Sequence, residues 1–276
     1  MKKSVLVVVA VVATLVAAPL SRADTGVEYY LSLGDSLAQG YQPIGGPWSP
    51  LGFPGYNQGY ADQLFKLVRD RYQHLALVKL GCGGETTTTM IVGSPWCGSG
   101  FAAGSQLAEA KAFLQAHRAE VAFVTLDIGG NDLTSPDGGG VAAVQANLPK
   151  ILAQLREEAG PEVPIVGMNY YHPFLPDIWF GTHDPAALQG AVEAIVAFND
   201  VLASLYAAAG DPMADVESGF STSEVGDGDG DGVPDNVAQA CTWTWRCTPP
   251  PHGPDIHPNS AGYGAIADAF ESALGP

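Results

Sequence analysis

Four short stretches of this chain carry residues able to do chemistry, and they lie far apart. Near the start, the apolar run Tyr29-Tyr30-Leu31-Ser32-Leu33 leads into Gly34-Asp35-Ser36-Leu37. A serine at the C-terminal tip of a buried strand is lifted above the sheet, where later strands can bring partners to it. Its hydroxyl is a weak nucleophile until a base takes its proton and donors hold the oxyanion that forms. Candidates for both follow. Gly81-Cys82-Gly83-Gly84 is a turn that exposes backbone N–H groups, Gly129-Gly130-Asn131-Asp132 offers a side-chain amide, and Asp255-Ile256-His257-Pro258 offers an imidazole near a carboxylate. Ser36 as nucleophile, His257 as base, and the N–H of Ser36, the N–H of Gly84 and the amide of Asn131 as oxyanion donors together make acyl-transfer machinery.

Such machinery needs a frame that brings all four stretches to one edge. Residues 27–33, 75–80, 121–128, 163–168 and 212–216 read as short apolar strands. Between them run amphipathic helices, carried by Leu64, Leu67 and Val68, by Leu107, Ala110 and Leu114, by Val144, Leu148, Ile151, Leu152 and Leu155, and by Leu188, Val192, Ile195 and Leu202. A last helix starts near Asn259. Strand alternating with helix predicts a parallel sheet with helices on its faces, and hence an α/β fold. Ser36 and Asn131 then sit at strand tips on the same edge.

Two segments break the rhythm. Residues 41–56, rich in Gly, Pro and aromatics, form a loop after the nucleophile, read either as a rim or lid over Ser36 or as a surface connection. Residues 170–180 form an aromatic cluster that either lines an acyl pocket or packs against the next helix.

The ends and the charges bound the setting. Residues 1–23 carry a basic start, an apolar stretch and a small-x-small site at Ser21-Arg22-Ala23, the pattern of a secretory signal peptide. Its removal leaves about 250 residues, within reach of a single α/β domain, 24–276. The apolar stretch is too short for a spanning helix, so no stable membrane anchor is expected. A formal net charge of −17 argues against nucleic acid and anionic lipid headgroups as partners. The four cysteines fall into two local pairs, Cys82 with Cys97 and Cys241 with Cys247, and in an exported chain disulfides are expected there.

The segment 217–256 is an acidic, glycine-rich insertion. Asp227, Asp229, Asp231 and Asp235 stand at alternate or near positions with glycines between, a pattern suited to Ca²⁺. The twelfth loop position is Ala238 in place of the bidentate Glu of a complete EF-hand, so a structural Ca²⁺ site and a solvated acidic loop both remain open.

Read together, these blocks resemble the GDSL or SGNH hydrolases. Gly34-Asp35-Ser36-Leu37 is similar to that family's first block, 81–86 to its glycine block, Gly129-Gly130-Asn131-Asp132 to its asparagine block and Asp255-Ile256-His257-Pro258 to its histidine block, in matching order. The resemblance implies a three-layer α/β/α sandwich, flavodoxin-like, with about five parallel strands. It implies nucleophile Ser36, base His257 and oxyanion donors Gly84 and Asn131, with no cofactor needed for catalysis. One departure stands out: the family's acid usually lies three residues before the histidine, where this chain has Pro254, and the carboxylate Asp255 is two before. Either Asp255 turns inward to complete a triad, or the Pro254 carbonyl accepts from Nδ1 and leaves a Ser-His dyad, and the dyad is slightly favoured. No Gly-x-Ser-x-Gly elbow surrounds Ser36, which disfavours the α/β-hydrolase arrangement.

The expectation is a secreted, monomeric serine hydrolase of carboxylic esters, a lipase or esterase with an acyl lipid as substrate. Its rivals are a polysaccharide deacetylase and a calcium-dependent extracellular binding module on an inactive hydrolase fold.

Overall fold

The computed structural model describes residues 26–45, 57–72, 74–95, 97 and 100–275. The signal peptide assigned to 1–23 and the 46–56 part of the loop after Ser36 lie outside the described residues.

Five parallel strands form one sheet: β1 (Glu28–Gly34), β2 (Leu75–Lys79), β3 (Val121–Asp127), β4 (Ile165–Met168) and β5 (Met213–Ala214), in the order β2-β1-β3-β4-β5. In β1 the chain buries Tyr30, Leu31 and Leu33 together, as a strand covered on both faces must. The helices are α1 (Ser36–Gln39), α2 (Tyr60–Val68), α3 (Thr87–Val92), α4 (Gln106–Ala116), α5 (Gly130–Thr134), α6 (Gly140–Ala159), α7 (Leu175–Thr182), α8 (Pro185–Ala209), α9 (Val216–Gly219), α10 (Asp235–Trp243) and α11 (Ser260–Leu274).

Helical spacing assigns the longer helices to their faces. In α2, Tyr60, Leu64 and Val68 are buried four residues apart, and α11 answers with Tyr263, Ile266, Ala267 and Phe270. These two helices pack on each other, with the Tyr60 and Phe270 rings stacked 4.8 Å apart. A second layer runs α4 against α6 and α6 against α8. Burying Val144, Leu148, Ile151, Leu152 and Leu155 along α6 removes a full apolar stripe from water, at about 1.5 to 3 kcal/mol for each large side chain. Helix α8 has the length and hydropathy of a membrane span. Its Tyr206, however, lies against β4 so closely that a Cβ at Gly167 would come 2.0 Å from the ring, and the helix belongs to the layer over the sheet.

From β1 the chain moves to β2 on one side, then returns past β1 to β3 and continues outward on the other. The strand order therefore reverses between β1 and β3, where open α/β sheets carry their ligand crevice. The segment 217–256 holds more regular structure than its composition suggests. Helix α10 lies inside it, with Val237 and Ala240 three residues apart on a buried face packed on α7 and α11.

Candidate active site

The nucleophile turn is built on a glycine that nothing else can replace. Gly34 ends β1 at φ +134°, and a Cβ there would stand 2.0 Å from the Asp127 carbonyl oxygen. Asp35 caps the short helix α1, its Oδ1 accepting from the Leu37 N–H at 2.9 Å, which puts Ser36 at the first helical position. There the Ser36 Oγ lies 2.8 Å from His257 Nε2. Nδ1 of the same ring lies 2.7 Å from Asp255 Oδ1, and that oxygen also accepts the His257 backbone N–H at 2.9 Å. The acceptor on Nδ1 is thus the Asp255 carboxylate and not the Pro254 carbonyl favoured from the sequence. A two-residue spacing succeeds because the backbone doubles back: the carboxylate closes a tight turn onto the N–H of His257 itself.

Burial alone would raise the Asp255 carboxyl. The hydrogen bonds and charge of His257 outweigh it and hold the group below its ordinary range. An imidazole oriented in this way can take a proton from Ser36 while its far nitrogen is steadied by a full negative charge.

The loop carrying His257 is braced by a neighbour. Trp245 N–H donates to the His257 carbonyl at 3.0 Å, Asp255 N–H donates to the Trp245 carbonyl at 3.1 Å, and Thr244 forms an antiparallel bridge with Pro258. The disulfide Cys241–Cys247, with Cα atoms 5.0 Å apart, closes the segment that supplies these contacts. Tyr171 adds a hydrogen bond from its hydroxyl to the Ile256 carbonyl at 2.9 Å, and the Tyr41 ring packs 4.5 Å from the imidazole. The other disulfide, Cys82–Cys97, has its Cα atoms 6.1 Å apart, and Cys82 N–H donates to the Gly34 carbonyl at 3.1 Å. Both pairings are those expected from the sequence.

Asn131 and the glycine turn converge on Ser36. The Asn131 amide donates to Asp35 Oδ2 and to the Glu85 carbonyl, each at 3.1 Å, so it is held between the nucleophile turn and the glycine turn. Gly84 stands at φ +78° with open space where a Cβ would point, and a Cβ at Gly83 would come within 3.9 Å of Ser36 Cβ. Asp132, beside Asn131, accepts from both the N–H and the hydroxyl of Thr87 and so fixes the start of α3.

Beneath the serine lies a buried carboxyl pair. Asp127 accepts from the Asp35 and Ala38 N–H groups at 3.3 Å and from the Tyr60 hydroxyl at 2.7 Å. Burial, with the nearby charge of Asp35, pushes Asp127 well above the carboxylate range, and burial raises Asp35 as well. Asp127 could have been noticed as the acidic residue ending an apolar strand; Gln106, which reaches Gly34 from α4, carried no signal in the sequence.

A cavity of about 260 Å³ opens at Ser36, Asn131 and His257 and runs between Leu133, Tyr170, Phe174, Ile195, Phe198 and Ile256. Beyond Ser36, Asn131, Thr134 and the two histidines, its lining is mostly apolar. Burial lowers His172 in its wall, which favours the neutral imidazole there. The 170–180 cluster is divided between its two readings. Residues 170–174 line the cavity, while Leu175 and Trp179 pack with Leu188, Val192 and Val237. The contribution of α8 to the wall, through Ala194, Ile195 and Phe198, was not anticipated.

In the acidic segment, ligand oxygens of Asp227, Asp229 and Asp231 lie within 4.8 Å of one another, close enough to share a hard cation. Asp235 accepts instead from the Gly228 N–H, at 3.2 and 3.3 Å, and does not join them.

A doubly wound sheet with a Ser-His-Asp arrangement at its switch point defines a class of hydrolase-like folds, and comparison with known proteins narrows it. The model of the GDSL-like Lipase/Acylhydrolase family matches residues 32–265, and the chain belongs to that family of ester hydrolases. A search of curated proteins gives no match. Among solved structures the fold is similar to that of LAE5, an alpha/beta hydrolase from the metagenome of Lake Arreo, Spain, at 17% identity and TM-score 0.56, covering 90% of this chain and 95% of that one. It is similar to TesA at 19% identity and TM-score 0.52, covering 90% and 99%. It is also similar to Axe2, an acetylxylan esterase from Geobacillus stearothermophilus, at 15% identity and TM-score 0.55, covering 90% and 94%.

Proposed function

We propose that this chain is an exported serine esterase acting on esters whose acyl group is longer than acetyl, acyl lipids among them. The observation that carries the reading is the apolar cavity beginning at Ser36: at about 260 Å³ it has room for several methylenes, whereas one water occupies about 30 Å³ of liquid. Ser36 Oγ attacks the ester carbonyl as its proton passes to His257 Nε2, with Asp255 holding Nδ1 and balancing the imidazolium. The Ser36 N–H, the Gly84 N–H and the Asn131 amide stabilise the tetrahedral oxyanion, the amide turning the N–H it gives to Asp35 toward the substrate while the other stays on the Glu85 carbonyl. His257 returns the proton to the departing alcohol, and a water activated by the same nitrogen releases the acid. Every group invoked comes from one chain, so a monomer suffices. The sequence at 1–23 supports export, and the Asp227, Asp229 and Asp231 carboxylates fit a structural Ca²⁺ that takes no part in the chemistry.

The test is labelling by a fluorophosphonate probe together with turnover of p-nitrophenyl esters of graded chain length. Labelling that disappears in Ser36→Ala, with kcat/KM rising from acetate to hexanoate, is the expected result. A preference for acetate with no action on triacylglycerol would replace the lipase reading by that of a carbohydrate deacetylase. No labelling of the wild type would leave a binding module.

A further inference from the structure

Gln106 begins α4, 70 residues after the nucleophile, and is wholly buried although it is an amide. All of its polar atoms are engaged, and all on the two turns that make the site. Its Oε1 accepts from the Gly34 N–H at 2.7 Å, and its Nε2 donates to the Gly34 carbonyl at 2.8 Å and to Glu85 Oε2 at 3.2 Å. Gly34 is two residues before Ser36, and Glu85 directly follows Gly84. The Glu85 carbonyl in turn accepts from the Asn131 amide at 3.1 Å. Glu85 is itself fully buried, and its second carboxyl oxygen has no hydrogen-bond partner.

We propose that Gln106 and Glu85 are a pair of positioning residues that sets the distance between the nucleophile turn and the oxyanion donors. The inference rests on the roles given above to Ser36, Gly84 and Asn131. The backbone already joins Cys82 N–H to the Gly34 carbonyl, which fixes the start of the glycine turn. At the far end, where Gly84 lies, the Glu85 N–H closes the turn onto the Cys82 carbonyl at 3.1 Å and Asn131 holds the Glu85 carbonyl. Gln106 adds the tie that runs directly to Gly34: a planar amide gripping both backbone groups of Gly34 has one remaining N–H, and its direction determines where the Glu85 carboxyl sits. Through the Glu85 main chain, the same tie locates the Gly84 N–H and the acceptor that steadies Asn131. An error of about 1 Å between a nucleophile and its oxyanion donors can cost about 10²-fold in rate without weakening ground-state binding, because the donors act where charge develops.

The experiment compares Gln106→Leu, Glu85→Ala and Glu85→Gln with the wild type on a p-nitrophenyl ester, with Ser36→Ala as the control. The expected result is a kcat lower by about 10²-fold in Gln106→Leu and Glu85→Ala, with KM changed less than about threefold, as for an interaction made in the transition state. Glu85→Gln, which keeps an acceptor for the Gln106 amide, recovers most of the kcat that Glu85→Ala loses. Should Gln106→Leu not fold, the two Glu85 variants decide the matter alone. A wild-type kcat in any folded Gln106→Leu or Glu85→Ala protein overturns the proposal, as does a Glu85→Gln no better than Glu85→Ala. Activity surviving in Ser36→Ala would instead strike at the assignment of the nucleophile.

Discussion

Replacing Asp255 offers a graded test of the acid–base arm. In the wild type, one carboxylate oxygen receives both His257 Nδ1 and the His257 backbone N–H, at 2.7 and 2.9 Å. Asp255→Asn keeps an oxygen, and the backbone N–H holds that oxygen toward the ring, so the tautomer that leaves Nε2 free is retained. What disappears is the negative charge facing the imidazolium. At about 4 Å and an effective dielectric constant of about 20, that attraction is worth about 4 kcal/mol, or about 10³-fold in kcat. Asp255→Ala removes the acceptor as well and lets the ring take the wrong tautomer, the cause of the loss of about 10⁴-fold seen when a triad aspartate elsewhere becomes asparagine, so its loss should approach that figure. Steady-state hydrolysis of a p-nitrophenyl ester by variants whose circular dichroism matches the wild type reads both numbers. If both retain kcat within about threefold, the carboxylate does not orient His257, and the Pro254 carbonyl regains the role.

Filling the cavity should change chain-length preference without disabling the chemistry: Ile195→Trp is expected to lower the ratio of kcat/KM for hexanoate over acetate by about tenfold or more, and an unchanged ratio would detach that cavity from the acyl group. Glu85 gives a pH dependence of stability. Burial raises its carboxyl from 4.5 to about 7, so the folded chain holds the proton more tightly than the unfolded one, and its contribution is full below about pH 4.5 and lost as pH rises toward 7. That amounts to about 3 kcal/mol, and urea titrations of Glu85→Gln against wild type should find the variant gaining this much between pH 4 and pH 8; a difference independent of pH contradicts the assignment. Finally, Ca²⁺ should raise the melting temperature and EDTA reverse it, with Asp229→Asn weakening the response, whereas no shift with either would remove the ion from the account.

The frame of the fold was open to reading because strands and helices announce themselves by spacing. The apolar runs ending at Gly34 and Asp127 and the i, i+4 stripe of Val144, Leu148 and Leu152 each point to one element and one buried face. Short α10 was missed because its buried face rests on little more than Val237 and Ala240, too few residues to define a period. At the site, Ser36, Gly84, Asn131 and His257 could be named from the motifs; the structure sets Ser36, Asn131 and His257 around one cavity, and Gly84 stands in the turn beside them. The partner of Nδ1 was misjudged because spacing along the chain does not reveal that residues 255–257 curl back on themselves. Gln106 was invisible for a different reason: an amide at a helix start is as ordinary on a surface as in a core, and only burial distinguishes it.

The wall of the cavity and the groups that attack the ester come from different parts of the chain. Ser36 and Asn131 stand on the ends of β1 and β3 and His257 on the loop before α11, while much of the pocket is made by residues 170–174 and by one face of α8. Substitutions along 170–198 can therefore alter which acyl groups are accepted while the sheet edge stays as it is. A lineage carrying this arrangement could exchange one substrate for another through one contiguous stretch, the 170–174 segment and the inner face of α8, and a library confined to those positions is the economical place to seek new specificities.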